Sequence, residues 1–170
     1  EALLAATGKS SDEQFDRAID PKAPESTHES VRADRLVHLG SELTRHGLYD
    51  LAEARFTEAT ALVPGHAGAT LGLGDLMLRQ NRLAEAEPLF RSVLSAHPDS
   101  IDAALGIAAV QIRRGGDDLP KAQAALAAML EKTPQQPRAR YLLGRVLEQR
   151  GDIAGAAAEF KKAAELLLDR

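Results

Sequence analysis

The sequence predicts an all-α fold, a solenoid of four stacked antiparallel helical hairpins with an N-terminal extension. The first reason is composition. Only 4% of the 170 residues are aromatic and none is Trp, so the core has to be built mainly from Ala and Leu, which favours close-packed helices over sheets. The second reason is that residues of one type recur every 34 positions, a period typical of stacked helical repeats.

The 34-residue period is marked by small, aromatic and proline residues. The pairs at this spacing are Gly40 and Gly74, Ala52 and Ala86, Phe56 and Phe90, and Pro64 and Pro98. A third unit has the same markers two residues late, and we place the extra residues in the turn 115–118, because loops tolerate insertions. A fourth unit restores the spacing. The predicted units are 33–66, 67–100, 101–136 and 137–170, after an N-terminal extension at 1–32.

Each unit is predicted to contain two helices, each with one apolar face. In the first helix of the first unit, this face is formed by Leu36, Leu39, Gly40 and Leu43. The small Gly40 lets the neighbouring helix come close. In the second helix, the same spacing is met by Ala52, Phe56, Ala59 and Val63. We expect both faces to form the core of the unit.

Turn residues separate the predicted helices. Each first helix is predicted to end at a residue suited to a left-handed conformation, namely Gly47, Asn81, Gly115 or Gly151. The second helices are predicted to stop before Pro64, Pro98 and Pro134. Pro88 conflicts with this pattern because it lies a few residues inside a second helix, so we predict a late or distorted helix start there. The adjacent Glu85 and Glu87 are interpreted as surface residues.

These residues resemble the tetratricopeptide repeat family over positions 33–170. The loose family pattern is Leu-Gly, a large residue, Gly at the turn, then Ala, an aromatic residue, Ala and Pro. The first unit meets it with Leu39, Gly40, Leu43, Gly47, Tyr49, Ala52, Phe56, Ala59 and Pro64. The departures are Gln111, Leu126 and Leu168, in place of a large apolar residue, the aromatic residue and the final proline. The resemblance implies a right-handed superhelix whose first helices line a concave side, where ligands usually bind.

On this basis the first helices are predicted to form a groove with an apolar row and a basic row, suited to a peptide or a partner helix. The predicted groove residues are Val37, Ser41, Arg45, Leu71, Asp75, Leu78, Arg79, Leu105, Ala109, Ile112, Arg113, Tyr141, Arg145 and Gln149. An alternative explanation for Arg45, Arg79 and Arg113 is that each lies in the last turn of a helix, where a cation gains roughly 0.3 to 1 kcal/mol from the helix dipole. The clamp that some family members use for carboxylate tails is not matched, because Val37 and Ser41 stand where its first residue would fall.

Composition and motifs argue against other function classes. The net charge of −4 and pI near 5.7 do not favour nucleic acid, which needs a basic face. The chain has no cysteine for disulfides or thiolate metal sites. It has neither the HExxH arrangement of zinc enzymes nor a GxSxG nucleophile turn. We therefore predict a non-catalytic protein that binds a protein or peptide, without cofactor or metal.

The ends of the chain leave alternatives open. The segment SSDEQFDRAI is typical of a capped short helix, and PKAPESTHES has the composition of a linker. Residues 1–32 are therefore the second half of a degenerate preceding repeat, a segment that docks on the array, or a tail. At the other end, no polar capping helix follows Leu166, Leu167 and Leu168. The explanations are a longer parent protein, a dimer through the ends, or coverage by the N-terminal segment of another copy.

The cellular setting is also open. No run approaches the ~18 apolar residues of a membrane span, and no signal peptide is recognised, although a chain that begins with Glu leaves room for an upstream leader or lipid anchor. Richness in Ala, Leu and Arg suits a GC-rich bacterial genome, where such repeat proteins often serve envelope, secretion or pilus assembly; a type III secretion chaperone is one family possibility. The predicted function is a protein-binding scaffold. The alternative is a structural protein that self-associates through the array ends.

Overall fold

The computed structural model describes residues 25–168, which form eight α-helices and one short 3₁₀ helix. In chain order these are α1 (Glu25–Arg45), α2 (Tyr49–Leu62), α3 (Ala67–Arg79), α4 (Leu83–Ala96), α5 (Ile101–Arg114), the 3₁₀ helix (Gly116–Asp118), α6 (Leu119–Lys132), α7 (Pro137–Gln149) and α8 (Ile153–Leu168). No strand occurs between residues 25 and 168.

The helices stack as hairpins in two layers. Each helix packs against the next, and the first helices of the hairpins, α1, α3, α5 and α7, also contact one another in order. Within the described part of the chain, no contact joins one second helix to another. Because the array is tighter on the side of the first helices, it curves toward them, and they line its concave surface. The predicted all-α right-handed superhelical solenoid is confirmed.

The helix ends agree with the predicted turn residues. The backbone φ is positive at Gly47 (74°), Asn81 (61°), Gly115 (70°) and Gly151 (84°), all in the left-handed region. The second helices α2, α4 and α6 end at Leu62, Ala96 and Lys132, each two residues before the predicted proline. In the third hairpin the two extra residues are divided: α5 has 14 residues where α3 has 13, and the turn that follows includes the 3₁₀ helix.

The N-terminal end of the first helix differs from the prediction. Helix α1 begins at Glu25, so the part of the predicted linker from residue 25 onward is helical. The predicted short helix in SSDEQFDRAI lies outside the described residues. The linker prediction rested on Pro and Ser content, whereas the helix is set by the packing of Ala33 and Leu36 against α2 and α3.

The core contains the predicted small and aromatic residues of the first hairpin, but one predicted core leucine lies outside it. Ala52, Phe56 and Ala59 are at most 1% exposed. Leu39, predicted in the core, is instead 47% exposed. Its equivalents in later hairpins, Leu73, Ile107 and Leu143, are half-buried, because each has a preceding hairpin to pack against. Within residues 25–168 no hairpin precedes α1, so Leu39 has no such cover.

The aromatic rings fit into spaces that only glycine leaves. A Cβ atom on Gly40 would lie 2.8 Å from the ring of Phe56, and one on Gly72, in the next hairpin, would lie 2.3 Å from the same ring. The Phe90 ring has the same relation to Gly74 at 2.7 Å and to Gly106 at 2.4 Å. Each phenylalanine is therefore held between its own first helix and the first helix of the next hairpin.

The predicted late start at Pro88 is wrong. Helix α4 begins at Leu83, which is 34 residues after the start of α2 at Tyr49. Proline has no backbone N–H, so Pro88 leaves the carbonyl of Ala84 without its helical hydrogen bond. Both residues are exposed, so water can donate a hydrogen bond to that carbonyl instead. Burial of Ala86 and Phe90 on the opposite face holds the helix in place.

Polar contacts join consecutive hairpins at one repeating position of the second helices, occupied by Glu53, Glu87 and Gln123. The Arg82 guanidinium lies 2.9 Å from a Glu53 carboxylate oxygen, and that of Arg114 lies 2.5 Å from Glu87. In the third and fourth hairpins, Arg150 donates to the side-chain oxygen of Gln123. Glu87, predicted as a freely varying surface residue, has a side chain only 15% exposed. It is a contact between hairpins, which the prediction missed because it considered each unit alone.

Candidate peptide-binding groove

The predicted groove residues differ widely in exposure. Ser41, Arg45, Arg79, Arg113, Tyr141 and Gln149 are exposed, whereas Val37, Leu71, Asp75, Leu78, Ala109 and Arg145 are half-buried. All twelve lie on first helices, which line the concave side. Their place in a ligand-binding groove stays a prediction.

Two predicted groove residues belong to the core instead. Leu105 is 1% exposed and Ile112 is 4% exposed, and both lie in the buried cluster that contains Leu126 and Leu142. Helical spacing places them on the same face as their equivalents in other hairpins. How far neighbouring helices cover that face is decided by tertiary packing. The predicted apolar row is thus interrupted in the third hairpin.

Tyr141 is the most exposed member of the apolar row, at 48%. Its ring centroid is 5.6 Å from that of Phe160, with the ring planes tilted by 43°. This contact fixes one edge of the Tyr141 ring against the second helix of its own hairpin and leaves the remainder open. A fixed aromatic ring can take up an apolar side chain with little loss of conformational entropy.

The basic row contains two kinds of arginine. Arg45 forms an ion pair with Glu42 on its own helix. Within residues 25–168, neither Arg79 nor Arg113 forms an ion pair or a side-chain hydrogen bond. By contrast, most other arginines in that range bind a carboxylate, among them Arg55, Arg82, Arg91, Arg114, Arg138, Arg140 and Arg145. Arg79 and Arg113 therefore present unused donors in the last turns of α3 and α5.

An ion-pair bridge that the sequence analysis missed lies on the concave side. Arg138, in the first turn of α7, has one guanidinium nitrogen 3.3 Å from Asp75 on α3 and another 3.7 Å from Asp102 on α5. The signal was present in the sequence, because Asp34, Asp102 and Arg138 each occupy the second residue of a predicted unit. Charged residues at that position could have been included in the groove.

His66 connects the first two hairpins and was also missed. Its Nδ1 accepts a hydrogen bond from the backbone N–H of Ala69 at 3.2 Å, so it caps the start of α3. Because Nδ1 accepts, Nε2 is the nitrogen that donates to Asp34 Oδ1, at 3.0 Å. The side chain is 14% exposed. His66 thus has a structural role in the junction.

The described residues offer little for other chemistry. Between residues 25 and 168, no group of three or more His, Asp or Glu side chains could hold a metal ion. An open depression of about 610 Å³ lies on the outer face of α2, beside Ala54 and Ala61, away from the concave surface. In the same range, no helix is both long and apolar enough to cross a membrane.

Comparison with known proteins agrees with this geometry. The family model for the tetratricopeptide repeat matches residues 38–101 and 107–167. Cellulose synthase operon protein C of Pseudomonas fluorescens (strain SBW25) is 28% identical over 151 residues, covering 82% of this chain and 11% of that protein. The chain thus spans about a tenth of the length of the curated relative it matches.

Solved structures share the fold at low sequence identity. A thermophilic TPR protein from Thermus thermophilus superposes with a TM-score of 0.72 at 20% identity, covering 79% of this chain and 74% of that one. PilF of Pseudomonas aeruginosa superposes with a TM-score of 0.70 at 19% identity, covering 84% of this chain and 64% of that one. MamA of Desulfovibrio magneticus RS-1 superposes with a TM-score of 0.62 at 24% identity, covering 85% of this chain and 81% of that one. The family match over most of the described residues shows that the chain belongs to the tetratricopeptide repeat family, whose members are generally non-catalytic scaffolds for protein–protein interaction.

Proposed function

We propose that the concave groove binds a peptide segment or a partner helix that carries carboxylates, and that Arg79 and Arg113 engage them. The observation that carries this proposal is that both arginines are exposed yet form no ion pair within residues 25–168. A guanidinium presents a planar fork of donors that matches a carboxylate, so an unpaired arginine is suited to a ligand. Two of them on adjacent first helices favour a ligand that runs along the array.

Apolar contacts supply the second component of the proposed binding. Val37, Leu71 and Leu78 are half-buried on the concave side, and Tyr141 is 48% exposed. Apolar side chains of the partner could pack on these residues, while the arginines fix its register. Charged groups then govern the association rate and specificity, and the apolar contacts supply much of the affinity.

The proposal is tested with a displayed library of random peptides selected on the protein. We expect the selected peptides to be enriched in Asp and Glu. In the double variant Arg79→Ala and Arg113→Ala, their dissociation constants should rise by about tenfold or more, since hydrogen bonds to charged groups contribute roughly 1.5 to 3 kcal/mol. Fluorescence anisotropy measures the change.

The matched control replaces two arginines on second helices, Arg55→Ala and Arg91→Ala. Each is paired with a glutamate on its own helix, so its removal takes away the same amount of positive charge outside the groove. Peptide affinity should stay within about twofold of the parent, since distant exposed charges are screened. Equal losses in both double variants, or peptides without acidic enrichment, would contradict the groove proposal.

We also propose that the protein works in bacterial envelope, secretion or pilus assembly. Support comes from two similar proteins: one is named for a cellulose synthase operon, and another is pilF. Crosslinking in the native bacterium followed by mass spectrometry should recover proteins of such an assembly with the parent protein and fewer with the groove double variant. Recovery of cytoplasmic metabolic enzymes alone would contradict this setting.

A second candidate function is self-association through the array ends. Exposed apolar residues at both ends favour it: Leu48 is 48% exposed near the first hairpin turn, and Leu167 is 61% exposed near the end of α8. Contact between such faces of two copies would bury them from water. Because the two faces are different, contacts of this kind would join copies head to tail.

A further inference from the structure

One side chain from the fourth hairpin crosses the concave face of the third. Arg138 on α7 bonds Asp75 on α3 at 3.3 Å, although the backbones of α3 and α7 do not lie against each other. Helix α5 lies between them and contacts both. The Arg138 side chain therefore reaches Asp75 only by passing over α5, where it also lies 3.7 Å from Asp102.

Asp102 begins the part of α5 in which the apolar row is interrupted. Leu105 is three residues after Asp102, and Ala109 is four residues after Leu105, so the three share one helix face. Leu105 is 1% exposed and Ala109 is half-buried. At the position of Leu105 in the fourth hairpin, Tyr141 is 48% exposed. The third hairpin is thus the section of the groove with the least accessible apolar surface.

The charged groups that cross this section are themselves accessible to water. The side chains of Arg138, Asp75 and Asp102 are 42%, 44% and 70% exposed. Exposed ion pairs contribute little net free energy and weaken as salt screens them. Water can hydrate all three groups when they separate, so a ligand meets little resistance in displacing Arg138.

We infer that the Arg138 bridge, meaning Arg138 with Asp75 and Asp102, covers the third hairpin's part of the groove and opens when a ligand places an apolar side chain over Ala109. The inference deepens the proposed function and rests on it. It adds a requirement for the partner: an aliphatic or aromatic side chain at the third hairpin, in addition to carboxylates for Arg79 and Arg113. Displacing Arg138 gives that side chain access to Ala109, between the apolar residues Leu71 and Tyr141, while Leu105 stays in the core.

A single introduced thiol tests the cover without any ligand. The chain has no cysteine, so Ala109→Cys introduces one thiol, whose reaction rate with Ellman's reagent reports its accessibility. Adding Arg138→Ala should raise that rate about two- to fivefold, the change expected from losing an exposed ion pair that holds a closed state. Raising the salt concentration should raise the rate in the Ala109→Cys variant but not when Arg138→Ala is also present.

The control is Arg55→Ala, which removes an arginine from α2, outside the groove, whose ion pair is with Glu58. It should leave the reaction rate of the introduced thiol unchanged. Circular dichroism of each variant checks that it folds like the parent. An unchanged rate of the Ala109→Cys thiol after Arg138→Ala would overturn the cover, whatever the groove binds.

A selected acidic peptide then links the cover to binding. At saturation it should slow the reaction of the Ala109→Cys thiol by at least about fivefold, because the ligand replaces Arg138 over that site. A peptide that depends on Arg79 and Arg113 yet leaves this rate unchanged would overturn the inference while the proposed function stands. If acidic peptides bind independently of Arg79 and Arg113, the proposed function fails. The effect of Arg138→Ala on the thiol rate still tests whether Arg138 covers position 109.

Discussion

The size of the residue at the aromatic position is matched by the two residues that face it. Phe56 and Phe90 each face glycine in their own hairpin and glycine in the next. In the third hairpin the aromatic residue is replaced by Leu126, and the facing residues are Ala108 and Leu142, all three within one buried cluster. The smaller side chain is therefore compensated by larger neighbours. This explains why the departure at Leu126 does not open a gap in the repeat.

The match leads to a prediction for Gly106→Ala. The added methyl group would lie 2.4 Å from the Phe90 ring, and overpacking of this kind costs about 1 to 3 kcal/mol. Alanine gains roughly 0.5 to 1 kcal/mol over glycine inside a helix, so we expect a net loss of about 1 kcal/mol or more. Urea denaturation followed by circular dichroism measures the free energy of unfolding.

Two further variants identify the cause. Gly68→Ala lies in a neighbouring first helix, where the nearest contact of the new Cβ is 3.3 Å away, so it should be close to neutral. Phe90→Leu combined with Gly106→Ala reproduces the pairing of smaller and larger residues in the third hairpin. The double variant should lose less than the sum of the two single losses. Strict additivity would show that the ring and the glycine do not act as a pair.

Individual helices are tied to the next hairpin through repeated polar contacts. Glu87 on α4 accepts from Arg91 on its own helix and pairs with Arg114 on α5. The hydrogen bond from Arg91, together with the Arg114 guanidinium, holds the pKa of the Glu87 carboxyl below its usual value. The ionised carboxylate is thus favoured in the folded chain, and the contact between second helix and next first helix depends on its charge.

The Glu87→Gln variant should lose roughly 0.5 to 1 kcal/mol of unfolding free energy at neutral pH, the range of partly exposed ion pairs. Because the folded-state pKa lies below the unfolded one, the stabilisation is complete above about pH 4.3, the ordinary glutamate pKa, and is lost as pH falls through the folded-state value. The difference between parent and variant should therefore disappear in acid. Urea denaturation across this pH range measures it.

Glu58→Gln is the control for this prediction. Glu58 pairs only within its own helix, with Arg55, and its side chain is 45% exposed. Its loss should be a few tenths of a kcal/mol. If Glu87→Gln were no more destabilising than Glu58→Gln, the contact between hairpins would contribute nothing beyond an ordinary surface pair.

At the scale of the whole molecule, the first and last described hairpins expose apolar residues. Leu39, Leu48 and Leu51 are 42 to 48% exposed at the first hairpin, and Leu167 and Leu168 are 61% and 84% exposed on α8. Interior hairpins instead place Arg82 or Arg114 toward the preceding hairpin. The first and last described hairpins therefore present exposed leucines suited to an interface. The interior junctions are instead closed by ion pairs between hairpins.

If self-association uses these ends, the molar mass should depend on concentration. Light scattering over a concentration series should show the apparent mass rising above the 18.2 kDa of one chain. Replacing Leu48 and Leu167 with Glu should return the mass to that value, because burying an unpaired charge at the contact is unfavourable. A constant monomer mass over the whole series would exclude this assembly for the chain. Ala54→Glu, on the outer face of α2, is the matched control.

The sequence by itself determined the parts of the structure that depend on local chemistry. The 34-residue period placed the hairpins, the left-handed residues Gly47 and Asn81 ended the first helices, and Ala52 and Phe56 lay in the core as predicted. These outcomes follow from backbone conformation and helical spacing, which are properties of neighbouring residues. The two mistakes at the level of helices, a linker after residue 25 and a late start at Pro88, came from giving local composition more weight than packing.

Only the tertiary structure decided how far each face is covered and which charges meet. Leu105 and Ile112 have the spacing of groove residues but are buried, and Leu39 has the spacing of a core residue but is exposed. Asp75 and Arg138 are 63 residues apart in the chain and form an ion pair across the third hairpin. A periodic sequence gives every unit the same faces, but the angle between hairpins and the position of a unit in the array determine what lies against each face.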